Sequence, residues 1–242
     1  MVSTAALWMT VGMKTIYQNF DGPYYAAIAR CGYNKECLGR NFDFPLPAEY
    51  YPAHFPLYPF LTWLMGGVGL IRAGVIINLL ATIGVVIVLY KMSGEKLWVS
   101  LVWLFWWPRM WVVRSVGGAE ILLTLFVLLS LYFYQKGKMG LSGISGALAV
   151  LAKPPGILLF GAYLLAGPKL KNWPLLLMPL TLVGIFWFYK IQTGDFWAYF
   201  HSGDNIHLQA LPFRVFDSSQ PWVGTFWLED VLWIYLFGLI GV

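Results

Sequence analysis

The feature that most constrains this chain is its succession of apolar runs. They fall at 3–17, 57–71, 72–90, 97–113, 116–134, 141–152, 155–166, 172–190 and 226–242, with most of the charged residues gathered between them. Only 11% of the 242 residues are charged, against the roughly 25% that a soluble domain uses to stay in solution. Lipid must therefore replace water as the solvent for most of the outside. The expected fold class is all-α, a polytopic transmembrane helical bundle of about eight membrane helices, forming a single integral-membrane domain over 1–242. The net charge of +5 is spread over apolar runs with no basic face, so nucleic acid is set aside as a partner.

Ser3 to Tyr17 has no basic n-region and no small-x-small cleavage site, and reads as a first membrane helix rather than a signal peptide. It is shorter than the about 20 residues of a full span, and the chain stops at Val242 inside an apolar run. Both ends therefore read as those of a fragment or a shortened family member.

Orientation turns on the 57–71 run, which opens on Phe55-Pro56-Leu57-Tyr58-Pro59 and is interrupted by Gly66-Gly67. If this run is re-entrant and the N-terminus is cytoplasmic, Lys91, Lys96, Lys136, Lys138, Lys169 and Lys171 share the cytoplasmic turns with a single acid, Glu95. Asp21, Glu36, Asp43, Glu49, Glu120, Asp195, Asp204, Asp217, Glu229 and Asp230 then fall outside. The positive-inside rule selects this arrangement. It leaves two large outer segments, 18–56 and 191–225, and gathers the polar chemistry on one face.

In the first outer segment, Pro23 opens a short amphipathic run, Tyr24 to Gly32, suited to lying in the interface. Asp21 precedes it, where it reads either as a helix N-cap or as a general base at the membrane surface. Asp43 and Glu49 flank a Pro-rich turn as secondary acids, with Tyr50, Tyr51 and His54 close behind. No His/Asp/Glu spacing here is diagnostic of a metal; the sequence requires no cofactor and leaves room for a divalent ion. Cys31 and Cys37, the only cysteines, lie in the same segment, where an oxidising exterior permits a disulfide.

Arg72, Arg114, Glu120 and Lys153 stand at outer helix ends, where snorkelling explains any one of them. Together with Asp21 they suit an anionic, phosphate-bearing substrate, cations holding the phosphate while a carboxylate handles the proton. Tyr51 and His54 join them as substrate-facing candidates. Asp195, His201, Asp204 and His207 mark a lid or a connecting loop in the last outer segment.

With these residues in place, the chain resembles the GT-C superfamily of polytopic glycosyltransferases that use lipid-phosphate sugars, and most of all the PIG-V-type mannosyltransferases and their prokaryotic relatives. Phe20-Asp21-Gly22-Pro23-Tyr24-Tyr25, continuing to Ile28-Ala29-Arg30-Cys31-Gly32-Tyr33, is similar to the family's W-D-G-x-x-[YF]…I-A-x-x-G-Y opening. Ala53-His54-Phe55-Pro56-Leu57-Tyr58-Pro59 resembles its A-F-F-P-L-[YF]-P element. Ser115 to Glu120, Gly146 to Gly156 and Thr193-Gly194-Asp195 are looser likenesses. Phe20 and His54 depart from the family's Trp and Phe, and Gly118-Ala119 precede Glu120 where a hydroxyl residue is commoner.

The resemblance implies that Asp21 is the catalytic base. It would deprotonate an acceptor hydroxyl of a glycan, glycolipid or protein, which attacks the anomeric carbon of a polyprenyl- or dolichyl-phosphate sugar, with mannose as first candidate, and inverts it. Arg72, Arg114 and Lys153 would hold the phosphate, and Glu120 would orient the acceptor or those cations. The expected location is a prokaryotic plasma membrane ahead of an endoplasmic reticulum membrane, with the site on the outer face. The rival readings are a transporter or flippase of lipid-linked sugars and a non-catalytic subunit of a membrane glycosylation complex. A transporter calls for charges along the depth of the bundle, whereas here the mid-span positions are apolar.

Overall fold

The computed structural model describes residues 2–12, 21–43, 47–106, 112–167 and 170–202. All belong to the first of two compact units, Met1–Gly203; the second, Asp204–Val242, lies outside the described residues, and with it the apolar run 226–242. The described residues form helices and no strand, in keeping with an all-α class. The helices are α1 (Val2–Val11), α2 (Gly22–Cys31), α3 (Lys35–Asn41), α4 (Leu57–Leu64), α5 (Leu70–Met92), α6 (Leu97–Trp106), α7 (Glu120–Gln135), α8 (Met139–Ala152), α9 (Leu158–Leu165), α10 (Leu177–Thr193) and α11 (Ala198–His201). Short 3₁₀ turns run over Ala48–Ala53, Gly66–Val68, Pro154–Ile157 and Leu170–Leu176.

Among the described residues, two helices are long and apolar enough to cross a membrane: α5, with 23 residues, and the 22-residue stretch Asn172–Thr193 that runs into α10. The apolar helices α7, α8 and Pro154–Leu165 are shorter than the about 20 residues of a straight span. The expectation of about eight spans therefore comes down here to two helices of spanning length. α4 has only 8 residues and gives way to a Gly66–Val68 turn, too short to cross a bilayer.

α7 and α8 form a hairpin whose contact is built from small residues. Ser130 Oγ donates to the Ser142 carbonyl at 2.8 Å and Ser142 Oγ returns a bond to the Ser130 carbonyl at 2.9 Å. The Tyr163 hydroxyl joins Ser130 Oγ at 2.9 Å. On α8, a side chain at Gly143 would collide with the Pro174 carbonyl, and one at Gly146 with Met178. Small residues and hydrogen-bonding hydroxyls hold helices together where neighbouring lipid is as apolar as the side chains.

The long helices bury one face and present apolar side chains outward on the other. α5 buries Ala73, Ile77, Asn78, Ala81 and Val85 while Leu80, Ile83 and Ile87 are exposed; α10 exposes Leu180, Val183, Trp187 and Ile191. Only 50% and 33% of the two apolar windows are buried. Among the described residues both helices thus carry exposed apolar stripes, as helices facing a non-aqueous neighbour do.

The buried turn 113–119 carries the chain into α7 and is gripped from three sides. Asn78 Nδ2 donates to the Val113 and Val116 carbonyls at 3.2 and 2.6 Å. Trp8 Nε1 reaches the Ser115 carbonyl at 3.3 Å. The Tyr58 hydroxyl, 1% exposed as a residue, donates to the Gly74 carbonyl at 2.7 Å and accepts from the Gly118 N–H at 3.1 Å. Tyr58→Phe removes both bonds and leaves a buried N–H without its acceptor, an expected loss of about 1–3 kcal/mol. Thermal unfolding of the solubilised variant checks this, and an unchanged midpoint would show that the clasp contributes nothing.

Candidate functional site

Asp21 stands at the N-terminus of α2, yet it does not act as a side-chain cap. Its backbone is already helical (φ −77°, ψ −4°), and its carboxylate makes no capping bond to the first turn. An N-cap normally holds extended backbone so that its oxygen can reach the N2 or N3 amide; here Pro23 occupies the start of the helix and supplies no N–H. Of the two readings of Asp21, the side-chain cap is the one without geometric support. The carboxylate is 38% exposed, and its Oδ1 lies 3.8 Å from His54 Nε2.

His54 is 3% exposed and enclosed by rings. Tyr24 stacks on it with centroids 5.5 Å apart, while Tyr25 at 4.9 Å and Tyr50 at 5.2 Å meet it edge-on. Tyr51, also buried, packs edge-on against Tyr24 at 5.7 Å. The backbone of His54 is pinned from beneath: the Tyr33 hydroxyl donates to its carbonyl at 2.5 Å and the Tyr189 hydroxyl at 3.4 Å. The turn between α2 and α3 and the remote helix α10 thus fix the loop that presents the imidazole to Asp21.

Glu120 and Lys153 form an ion pair, each about one-third exposed. Glu120 is the first residue of α7. Lys153 sits past the end of α8 in an extended conformation, φ −161° and ψ 146°, because Pro154 disfavours a helical residue before it. The pair is brought toward Asp21 by a backbone contact: a Cβ on Gly117 would lie 2.9 Å from the Gly22 Cα, and one on Gly22 3.3 Å from the Gly117 carbonyl oxygen. Tyr25 registers both acids. Burial raises its hydroxyl pKa well above the ordinary value, and Glu120 and then Asp21 raise it further.

The proposed phosphate ligands do not all converge. Lys153 is engaged by Glu120. Arg114 is 4% exposed, donates to the Leu104 carbonyl at 2.9 Å and lies over the Phe105 ring, so it holds the end of α6 to the 113–119 turn. Arg72 is exposed in the first turn of α5 and has no acid partner among the described residues. Arg30 was not singled out from the sequence. It lines an apolar groove of about 680 Å³ with Ile28, Phe60, Trp63, Leu151 and Phe188, a shape suited to an acyl or isoprenoid chain.

The remaining loop residues tie the segment together. Cys31 and Cys37 are joined in a disulfide, Cα–Cα 5.6 Å, linking α2 to α3. Glu49 bonds Lys35 at 2.9 Å, which holds its carboxyl below the usual range. Asp43 is exposed. Among the described residues no group of three His, Cys, Asp or Glu is placed to hold a metal ion.

Asp195 and His201 belong to one local motif, with His201 Nδ1 2.6 Å from Asp195 Oδ2 and the Trp197 N–H donating to Asp195 Oδ1 at 2.8 Å. α11 rests on the first loop through Tyr199, whose ring meets Phe55 at 5.4 Å. Asp204 and His207 lie outside the described residues. The His201 bond, foremost, holds the Asp195 carboxyl below its ordinary 3.8. A depressed folded value contributes stability above the unfolded value and loses it as the pH falls through the folded one. Protection of the Trp197 amide against hydrogen exchange is therefore expected to fall selectively below about pH 4; protection that stays flat to pH 2 would remove Asp195 as the clasp.

Tyr50 and Tyr51 were noted beside His54 in the sequence, but the packing of Tyr24 and Tyr25 on it, the Tyr58 clasp and the Gly22–Gly117 contact escaped the sequence reading. Tyr24, Tyr25 and Tyr58 lay inside the blocks that suggested a family, but nothing in their spacing assigned the first two to the histidine or Tyr58 to the 113–119 turn. No family model, no curated protein and no solved structure matches this chain.

Proposed function

We propose that this chain is a multi-pass membrane glycosyltransferase of the GT-C kind, moving a hexose, mannose first among candidates, from a polyprenyl- or dolichyl-phosphate carrier to an acceptor hydroxyl. The observation that carries the reading is Asp21: a carboxylate at a helix N-terminus that does not cap its helix, is reachable from outside, and is backed by a buried imidazole. A carboxylate so placed can take the hydroxyl proton as the oxygen attacks the anomeric carbon. The bond from that carbon to the lipid phosphate breaks, its electron pair leaving with the phosphate, and the centre inverts.

Three further features support the reading. The Glu120–Lys153 pair lies beside the same helix start, where Lys153 would balance charge on the leaving phosphate if Glu120 released it. The 680 Å³ apolar groove suits a lipid tail. The exposed apolar faces of α5 and α10 suit a bilayer, and the charge asymmetry of the turns favours a cytoplasmic N-terminus and an outer-face site.

The test is transfer of label from a polyprenyl-phosphate sugar to a glycan, glycolipid or peptide acceptor by purified protein in liposomes. Transfer that depends on protein and on the lipid phosphate supports the reading. Movement of the lipid-linked sugar across the bilayer without transfer would replace it with a transporter.

A further inference from the structure

We propose that the apolar groove beside Arg30 binds an anionic phospholipid of the bilayer, with an acyl chain in the groove and the phosphate on the guanidinium. This goes beyond the glycosyltransferase reading and rests only on its membrane half.

The groove, of about 680 Å³, is large enough to enclose much of a ligand chain, and its lining joins two kinds of surface. Ile28 and Tyr33 are buried, whereas Phe60 and Trp63 are 53% and 59% exposed. The Tyr33 hydroxyl is taken up by the His54 carbonyl, and Arg30 is the one charged side chain among the lining residues. Exposed tryptophan is enriched at the headgroup level of a bilayer. An arginine there lays its apolar stem along the hydrocarbon and keeps its charged end among the heads.

Charge complementarity names the head. Arg30 is exposed in the last turn of α2 and has no acid partner among the described residues. Two acids of the following segment are engaged elsewhere, Glu36 with Arg40 and Glu49 with Lys35. A single cation over an apolar groove matches a singly charged phosphodiester with a hydrocarbon chain attached. A zwitterionic head brings its own cation beside the phosphate, which Arg30 repels. Anionic lipid is therefore favoured, by about fivefold for one arginine at the membrane surface.

The groove admits an isoprenoid or an acyl chain, and the place of Arg30 decides between them. Arg30 follows Asp21 by nine residues, about 13 Å along the helix axis and half a turn round it. A phosphate on Arg30 thus lies on the opposite side of α2 from the carboxylate. It is not placed for the transfer assigned to Asp21, which points to a resident bilayer lipid rather than to the sugar carrier.

The test is tryptophan quenching in liposomes of phosphatidylcholine and phosphatidylglycerol in equal parts, with brominated acyl chains on one lipid or the other. The chain has 13 tryptophans, so Trp63 is read by difference against Trp63→Phe. Trp187, exposed on α10 and outside the groove lining, is read against Trp187→Phe as the reference for general bilayer contact. Trp63 is expected to be quenched about fivefold more by the brominated phosphatidylglycerol, and Trp187 equally by both. Arg30 is exposed, so Arg30→Gln should fold as wild type does and abolish the preference. Equal quenching of Trp63 by the two lipids, or a preference that survives Arg30→Gln, overturns the site. Displacement of the brominated phosphatidylglycerol from Trp63 by a small share of polyprenyl phosphate gives the groove to the carrier and overturns it too. Trp63 unquenched beside a quenched Trp187 means that protein fills the groove, which ends the lipid site alone. If neither is quenched, the membrane reading falls with it.

Discussion

Asp21→Asn is expected to lower sugar transfer by about 10²–10⁴-fold, the usual consequence of losing a positioned general base, while the protein stays folded. The substitution is close to isosteric. It removes no capping bond from α2, because the native carboxylate makes none, so circular dichroism and thermal unfolding should change little. The amide can still meet His54, which isolates the loss of basicity from any loss of packing. Transfer in the folded variant within threefold or so of wild type would take the base role away from Asp21. Asp43, exposed at the far end of the same loop, is the next acid to test. A variant that loses its fold together with its activity would show that Asp21 is needed for the helix start after all.

Gly117→Ala is expected to reduce transfer about 10²-fold without removing a single polar group. The new Cβ would lie 2.9 Å from the Cα of Gly22; the first is fixed by its own backbone and the second is backbone, so neither can turn aside as the end of a side chain would. The start of α2 and the 113–119 turn must separate. Asp21 precedes Gly22 and Glu120 follows Gly117 by three residues, so this contact sets the spacing between the two acids. The turn resists moving, since Asn78, Trp8 and Tyr58 all hold it. The displacement should therefore appear at Asp21 and His54, and a lower unfolding temperature should accompany it. Full activity in Gly117→Ala would mean that the spacing between the two acids is not part of the chemistry. Gly140, with open space around it, is the control: Gly140→Ala should leave transfer unchanged.

Much of the segment between the first two apolar runs was legible because its signals are local. Pro23 after an acid announces a helix start, and α2 begins at Gly22. Cysteines six residues apart flank a Gly32 turn (φ +61°) and meet in a disulfide. A Pro-rich, Gly-interrupted run at 57–71 gives a helix of only 8 residues. The spans were less well read. Apolar runs report that a segment avoids water, while helix length depends on where Pro and Gly interrupt it, and the Lys153–Gly156 break left Pro154–Leu165 far short of a span. Individual site residues were harder still. Arg114 was a phosphate candidate by its position at a helix end, but it turns inward to the Leu104 carbonyl. Nothing in the sequence marked Arg30, whose place beside the groove depends on how the helices pack.

By itself the sequence determined the helical class and the gathering of most charged residues between apolar runs, because these follow from composition and from patterns within a few turns of chain. Only the tertiary structure decided what stands near Asp21: His54, 33 residues on in the chain, lies 3.8 Å away, and Glu120, 99 residues on, is brought toward it by the Gly22–Gly117 contact. They are held by contacts between buried backbone and hydroxyl groups at Gly22, Gly117 and Tyr58. Such contacts depend on how helices close against one another, and no local pattern of residues encodes that closure.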